Sequence, residues 1–238
     1  MGTTTIDVRE LQAGELHLAA QRIGGRTRLT ALACRPPLQA LRAHHLDQAL
    51  PEMAFLSVLS PSGGVLQGDR LSVDVEAGPG TQLHLDTPSA TRLYRMPDAE
   101  ARQRTRIRVA EGAFVELLPE PYLPYAGSRF EHEGTFEVAE SGTLVVGEVV
   151  GPGRRARGEE LDYTRFSSRL EVRLPDGELR FRDVCRLEPG SGLRRPGLLS
   201  GHVAVGTLLV VAPNLSRDVL AGATGGPGWA GCSELPNA

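Results

Sequence analysis

Val75-Glu76-Ala77-Gly78, Val109-Ala110-Glu111-Gly112 and Val138-Ala139-Glu140-Ser141-Gly142 are three versions of one phrase, set 34 and then 29 residues apart. Each closes one strand-like run with a turn and opens another, at residues 81–85, 114–118 and 143–150. A strand-turn-strand unit of this size cannot bury its own apolar face. Repeated at a near-constant period, it buries that face on the next copy. The expectation is an all-β fold of layered sheets with β-solenoid character.

Each unit then runs into a polar stretch marked by proline or glycine and closing on an arginine, at Arg95, Arg129 and Arg157. The first is Thr87-Pro88-Ser89-Ala90-Thr91-Arg92-Leu93-Tyr94-Arg95, where Thr87 suits a helix N-cap and Pro88 the first helical position. The second is Val115-Glu116-Leu117-Leu118-Pro119-Glu120-Pro121-Tyr122-Leu123-Pro124-Tyr125-Ala126-Gly127-Ser128-Arg129-Phe130. Its three prolines fix φ and remove donors, so it must run extended and rigid, presenting its carboxylates, tyrosines and arginine at set positions. The third is Glu148-Val149-Val150-Gly151-Pro152-Gly153-Arg154-Arg155-Ala156-Arg157-Gly158-Glu159. Stacked units stack these ends too, gathering Asp86, Glu116, Glu120, Glu148 and Glu159 with Arg92, Arg95, Arg129 and Arg157. Buried charges must be paired or hydrated, so a wetted polar interior is expected. Glu116, Glu120, Glu148 and Ser89 are its candidate lining, with Arg129 and Arg157 to hold the carboxylates.

Outside the repeats, residues 14–33 form a hairpin about Gly24-Gly25, and Asp176-Gly177 joins strands at 169–174 and 178–186. Residues 38–50 fit a helix or a strand equally well. Within them His44-His45 is either an ordinary exposed pair or a metal-ligating one, although neighbouring side chains diverge. A strand at 53–60 leads into Gly63-Gly64-Val65-Leu66-Gln67-Gly68-Asp69-Arg70-Leu71, a tight loop that either approaches a partner or only re-enters the sheet. Arginine at every second position from Arg102 to Arg108 puts charge on one strand face. Without interleaved aromatics it reads as a solvated edge strand, not a nucleic-acid stripe. Residues 203–211 read as a buried strand, and the glycine-rich tail as weakly structured.

The balance of 26 arginines, no lysine and 29 acidic residues, net −3, excludes a dedicated nucleic-acid binder. Cys34, Cys185 and Cys232 lie far apart, implying neither a disulfide framework nor a zinc site and fitting a reducing compartment. The N-terminal residues lack a basic flank and apolar core, and the run at 203–213 is too short to span a bilayer. The expectation is a soluble, cytoplasmic protein without membrane or nucleic-acid partners.

The 63–71 loop, the 87–95 segment, the 117–130 stretch and residues 151–159 stand in the order and spacing of one family. The chain resembles the urease accessory protein UreD, also called UreH, from about Leu16 to about Pro213. The tail, 214–238, is shorter than that resemblance leads one to expect. It implies one UreD-like domain over 1–238, mostly β with one or two short helices and no catalysis of its own. The function implied is binding apo-urease, recruiting UreF and through it UreG, and helping nickel reach the urease active site. It makes Asp69, Asp86, Thr87, Ser89, Thr91 and Arg92 candidates for lining a passage or binding a partner. Tyr94, Arg95, Glu116, Glu120, Tyr122 and Tyr125 join them, as do Arg129, Glu148, Arg157 and Glu159. Nickel would be transient, held weakly by Glu116, Glu120 and Glu148, and no cofactor tightly bound. The alternatives are a β-solenoid carbohydrate-active enzyme using a carboxylate pair and a plain structural interaction module.

Overall fold

The structure is a computed structural model that describes residues 13–214 apart from residue 197. The repeated phrases build two facing sheets between which the chain passes back and forth. In the first sheet β1 (Ala13–Ile23), β5 (Arg70–Ala77), β8 (Ala101–Val109), β11 (Arg129–Val138) and β13 (Arg165–Arg173) run parallel. At its two edges β2 (Arg26–Arg35) and β14 (Leu179–Leu187) fold back antiparallel as hairpins. The second sheet holds β4 (Ala54–Leu59), β6 (Gln82–Asp86), β9 (Phe114–Leu117) and β12 (Thr143–Val150), again parallel. Its short members β7 (Thr91–Leu93) and β10 (Tyr122–Pro124) pair in parallel beyond a bend, while β3 (Gln39–Ala40) and β15 (Val205–Val211) are antiparallel additions. Each coil is one strand of the first sheet, a turn, and one of the second, so the solenoid expectation is borne out.

The phrases stack through their turns. Ala139 N–H donates to Val109 C=O at 2.9 Å, Ala110 N–H to Ala77 C=O at 3.0 Å, and Gly80 N–H to Glu111 C=O at 3.0 Å. Val109 faces Val138 as the spacing implies, but Ala77, not Val75, faces Val109, so the first coil stands two residues out of the phase read from the sequence. A slip of two keeps every side chain on its face, which is why alternation alone could not detect it.

Inward positions carry the apolar residues of one continuous core, from Leu16 and Leu18 through Val75, Ile107 and Phe136 to Val172. Outward positions of the first sheet carry charge. Arg102, Arg104 and Arg108 meet Glu131, Glu133 and Glu137 at 3.0, 3.2 and 3.4 Å, and Arg108 also meets Glu76 at 2.7 Å. The arginine stripe is thus a solvated face, as expected, but not an edge: β8 is the central strand, with β5 and β11 on its flanks. Exposed pairs of this kind each contribute about 0–1 kcal/mol; their larger effect is on register, because a one-residue slip would drive the arginines into the core.

Other expectations need correction. Residues 87–90 form a bend, not a helix, because Thr87 Oγ1 accepts from the N–H of Glu120 on the next coil, 2.9 Å away, and not from its own first turn. Residues 38–50 are extended, with β3 and a bridge from His44 to Phe55. The helical elements among the described residues are two short 3-10 turns, Arg155–Arg157 and Pro189–Ser191. β15 is not a buried strand: it hangs on β12 alone, burying Leu209 and leaving Leu208 62% exposed. Cys232 and the tail beyond 214 lie outside the described residues.

Gly64 is where the loop at 63–71 meets the coils. A Cβ there would stand 2.3 Å from the Arg92 carbonyl, while Val65 and Leu93 bridge beside it. Gly64→Ala is therefore expected to lower unfolding free energy by about 2–4 kcal/mol in urea titrations, a large single-site loss. Acid should weaken the fold through Glu171, whose carboxyl is held below its ordinary range by Arg173, against the opposing effect of burial, and by Arg182. A depressed carboxyl stabilises above its unfolded pKa and ceases to as pH falls through the folded one. Thermal midpoints should drop on acidification through and below the ordinary glutamate range, less steeply in Glu171→Gln.

Candidate functional site

The apolar phase of the first sheet is interrupted at one level. Across neighbouring strands Gln103, His132, Ser168 and Cys185 stand in register, with Thr105 two residues beyond Gln103. His132 and Ser168 occupy inward positions between Phe130 and Gly134 and between Phe166 and Leu170, while Gln103 and Thr105 are consecutive inward residues of β8 between Ala101 and Ile107. Opposite them the second sheet contributes Glu148 from β12 and Tyr122 from β10. His132 Nδ1 and Glu148 Oε2 are 2.7 Å apart, each group about 5% exposed. The other ring nitrogen, Nε2, lies 3.1 Å from Thr105 Oγ1, which accepts from Gln103 Nε2 at 3.4 Å. Tyr122 packs on Phe130 and Phe166; burial, with Glu148 nearby, pushes its phenol well above the ordinary range. Burial, followed by Glu148 and Asp183, pushes the Cys185 thiol up to about 11, so it stays protonated at neutral pH. Among the described residues Ser168 Oγ has no partner. A polar layer therefore crosses an otherwise apolar solenoid, and of its members only Tyr122 and Glu148 were singled out in the sequence. The legible signal for the rest was a polar residue in the apolar phase, as in Phe130-x-His132-x-Gly134-x-Phe136.

The stacked ends form a second cluster. Tyr122 pairs with Thr91 and Val150, Thr91 N–H donates to Pro121 C=O at 2.9 Å, and Gly151 N–H to Tyr122 C=O at 2.8 Å. Tyr94 and Tyr125 meet edge-on at 5.4 Å, and the Arg154 guanidinium lies 4.2 Å above the Tyr125 ring. Arg154 also forks onto Glu159, whose Oε2 takes the Ala126 N–H at 3.3 Å; these contacts hold the Glu159 carboxyl below its usual range, Arg154 first. Arg92, Arg95 and Arg157 are exposed around this group.

The remaining candidates scatter. Glu116 sits on the outer face of the second sheet against His84 at 2.9 Å, with Asp86 3.8 Å from the same ring. Ser89 and Glu120 are exposed on the bends. Asp69 is buried and ties the glycine loop by accepting the Leu66 N–H at 2.8 Å; burial raises its carboxyl. Among the described residues Arg129 holds no carboxylate and its buried Nε has no partner; it lines a cavity of about 550 Å³ with Asp98, Glu100 and Arg165. Glu116, Glu120 and Glu148 thus occupy an outer face, a bend and the interior, and do not converge. Among the described residues no group of three or more His, Cys, Asp or Glu is placed to hold a metal ion. His44 and His45 are fixed by backbone partners, His45 Nε2 lying 3.1 Å from the Thr27 carbonyl.

A family model described as UreD urease accessory protein matches residues 12–238, taking in the loop, the coils and both clusters. The chain belongs to the UreD family. Among its relatives, urease accessory protein UreD 2 of Streptomyces griseus is 37% identical over 215 residues, covering 89% of this chain and 73% of the relative. The UreD proteins of Cenarchaeum symbiosum and Haloarcula marismortui are 36% and 38% identical over 199 and 194 residues. These matches cover 83% and 79% of this chain, and 70% and 64% of the relatives. Membership of UreD supports a role in urease maturation. No helix among the described residues is long and apolar enough to cross a membrane.

Breaking the interior pair tests what holds the UreD core. Glu148→Ala leaves His132 buried without its acceptor and should cost about 2–4 kcal/mol in urea unfolding. The double variant His132→Leu/Glu148→Leu removes both polar groups together and should recover part of that loss.

Proposed function

We propose that this chain is a non-catalytic scaffold for urease maturation, binding apo-urease and recruiting UreF and, through it, UreG. In that assembly it offers nickel, as cargo, a polar way through an otherwise apolar body to the urease active site. Family membership supports the maturation role. The observation that carries the finer reading is the layer of Gln103, Thr105, His132, Ser168, Glu148 and Tyr122 crossing the solenoid. Such a layer costs stability in a core where apolar side chains would pack without penalty, and a divalent ion that sheds part of its water shell needs oxygen or nitrogen donors in its place. Scattered donors with no convergent cage suit cargo that must leave. The cytoplasm, where the nickel-free enzyme is made, is the proposed location.

Co-expression of urease subunits with UreF and UreG, with and without this chain, tests the reading. Urease purified without it should carry little nickel and activity. Ser168→Leu, which closes the layer with an apolar branch, should leave the complex assembled while nickel content and activity fall together. Full activation without the chain would remove the maturation role. Full activation by an assembled Ser168→Leu complex would remove only the route.

A further inference from the structure

Two groups of arginines in this protein stand in contrast. Along β8 each has a carboxylate within 4 Å: Arg102 with Glu131, Arg104 with Glu133, Arg106 with Asp74 and Arg108 with Glu76. At the stacked coil ends Arg92, Arg95 and Arg157 are exposed and make no ion pair with a carboxylate among the described residues. Among the described residues the Arg92 side chain reaches the Gly63 carbonyl, at 3.5 Å, and no carboxylate. The nearby carboxylates are engaged elsewhere, Glu159 by Arg154 and Glu160 by Arg155 and Arg194. Arg92 and Arg95 therefore stand beside the Tyr94–Tyr125 pair without a carboxylate partner, and Arg157 adds a third exposed cation that acts on Glu159 at longer range.

The surface is also rigid. Gly64 lies so close to β7 that a Cβ would meet the Arg92 carbonyl and the Tyr94 ring at 2.3 and 2.9 Å. Arg95 lies along Gly127, and Tyr125 N–H donates to Leu93 C=O at 2.9 Å. A pre-ordered surface loses little entropy when it binds. Its chemistry favours carboxylates over nucleobases: the Tyr125 face is taken by Arg154 and the tyrosines meet edge to face, leaving little open ring surface for stacking. Guanidinium forks beside phenol hydroxyls match carboxylate oxygens.

We propose that the Arg92–Tyr94–Arg95–Tyr125–Arg157 surface is the docking site for an acidic segment of a partner protein. The proposal rests on the scaffold reading only for there being a partner, and adds its chemistry. The test needs neither urease nor nickel. A fluorescein-labelled oligoglutamate peptide is titrated with the full chain and followed by anisotropy at low and high salt. Binding should be saturable, weakened by salt, and about tenfold weaker in Arg92→Gln/Arg95→Gln. Tyr94→Phe, which keeps the ring packing and removes the hydroxyl, should weaken it less, and Arg106→Gln on the sheet face not at all. Matching thermal midpoints confirm that the variants fold. Equal binding by all variants, or no binding by the parent chain, overturns the proposal. So does tighter binding of polyuridylate at the same arginines, which would make the surface a nucleic-acid site. Urease activation would be unaffected by those outcomes, so the maturation role is judged separately.

Discussion

A parallel sheet can be extended only by a chain that returns, after every strand, to the same starting line. Here that condition is met by the row Ala77, Val109 and Val138, each at the end of its strand and each handing on to a turn that hydrogen-bonds the next coil. With the row in place, side chains alternate in step across five parallel strands, so the apolar phase becomes one core and the charged phase one outer face. The hairpin strands β2 and β14 flank this array at its two edges, each held by the turn that joins it to its neighbour.

The same row explains how a polar layer is tolerated inside. Gln103, His132, Ser168 and Cys185 lie one beside another only because their strands share a register. Any one of them alone among leucines and phenylalanines would be an unsatisfied buried group. Set in line, and met by Glu148 from the other sheet, Gln103 and His132 are satisfied in a chain that runs from Gln103 through Thr105 and His132 to Glu148. Such networks fix a single arrangement because every member depends on the next. Ser168, without a partner among the described residues, is where this layer has donor and acceptor capacity to spare.

Charge is distributed with the same economy. Along β8, at the centre of the first sheet's outer face, every arginine meets a carboxylate of a flanking strand, which leaves that stretch hydrated and without a net demand for a partner. At the coil ends the chain bends, the strands are too short to bring a carboxylate alongside every arginine, and the surplus is positive. A protein with a slight net negative charge thus carries a local excess of cation on a stiff aromatic platform, and the contrast, more than the absolute charge, distinguishes the two surfaces.

Much of this was legible before any coordinates. The repeated phrase and the alternation around it were enough to determine an all-β, coiled architecture, because side-chain period and turn chemistry are local properties written in consecutive residues. The four motifs were enough to identify the UreD family. Local signals could not rank partners. Thr87 has the makings of an N-cap, yet its hydroxyl is taken by Glu120, 33 residues on. The arginines of β8 read as an edge because sequence does not say how many neighbours a strand has. Glu116 and Glu148 look alike in the chain, but β9 turns one outward to His84 and β12 turns the other inward to His132. Arg129 looks made to hold a carboxylate, and Glu100 passes it by for Arg165. In each case the choice lies between groups brought together across coils, and a distance of that kind exists only once the register of the stack has been set.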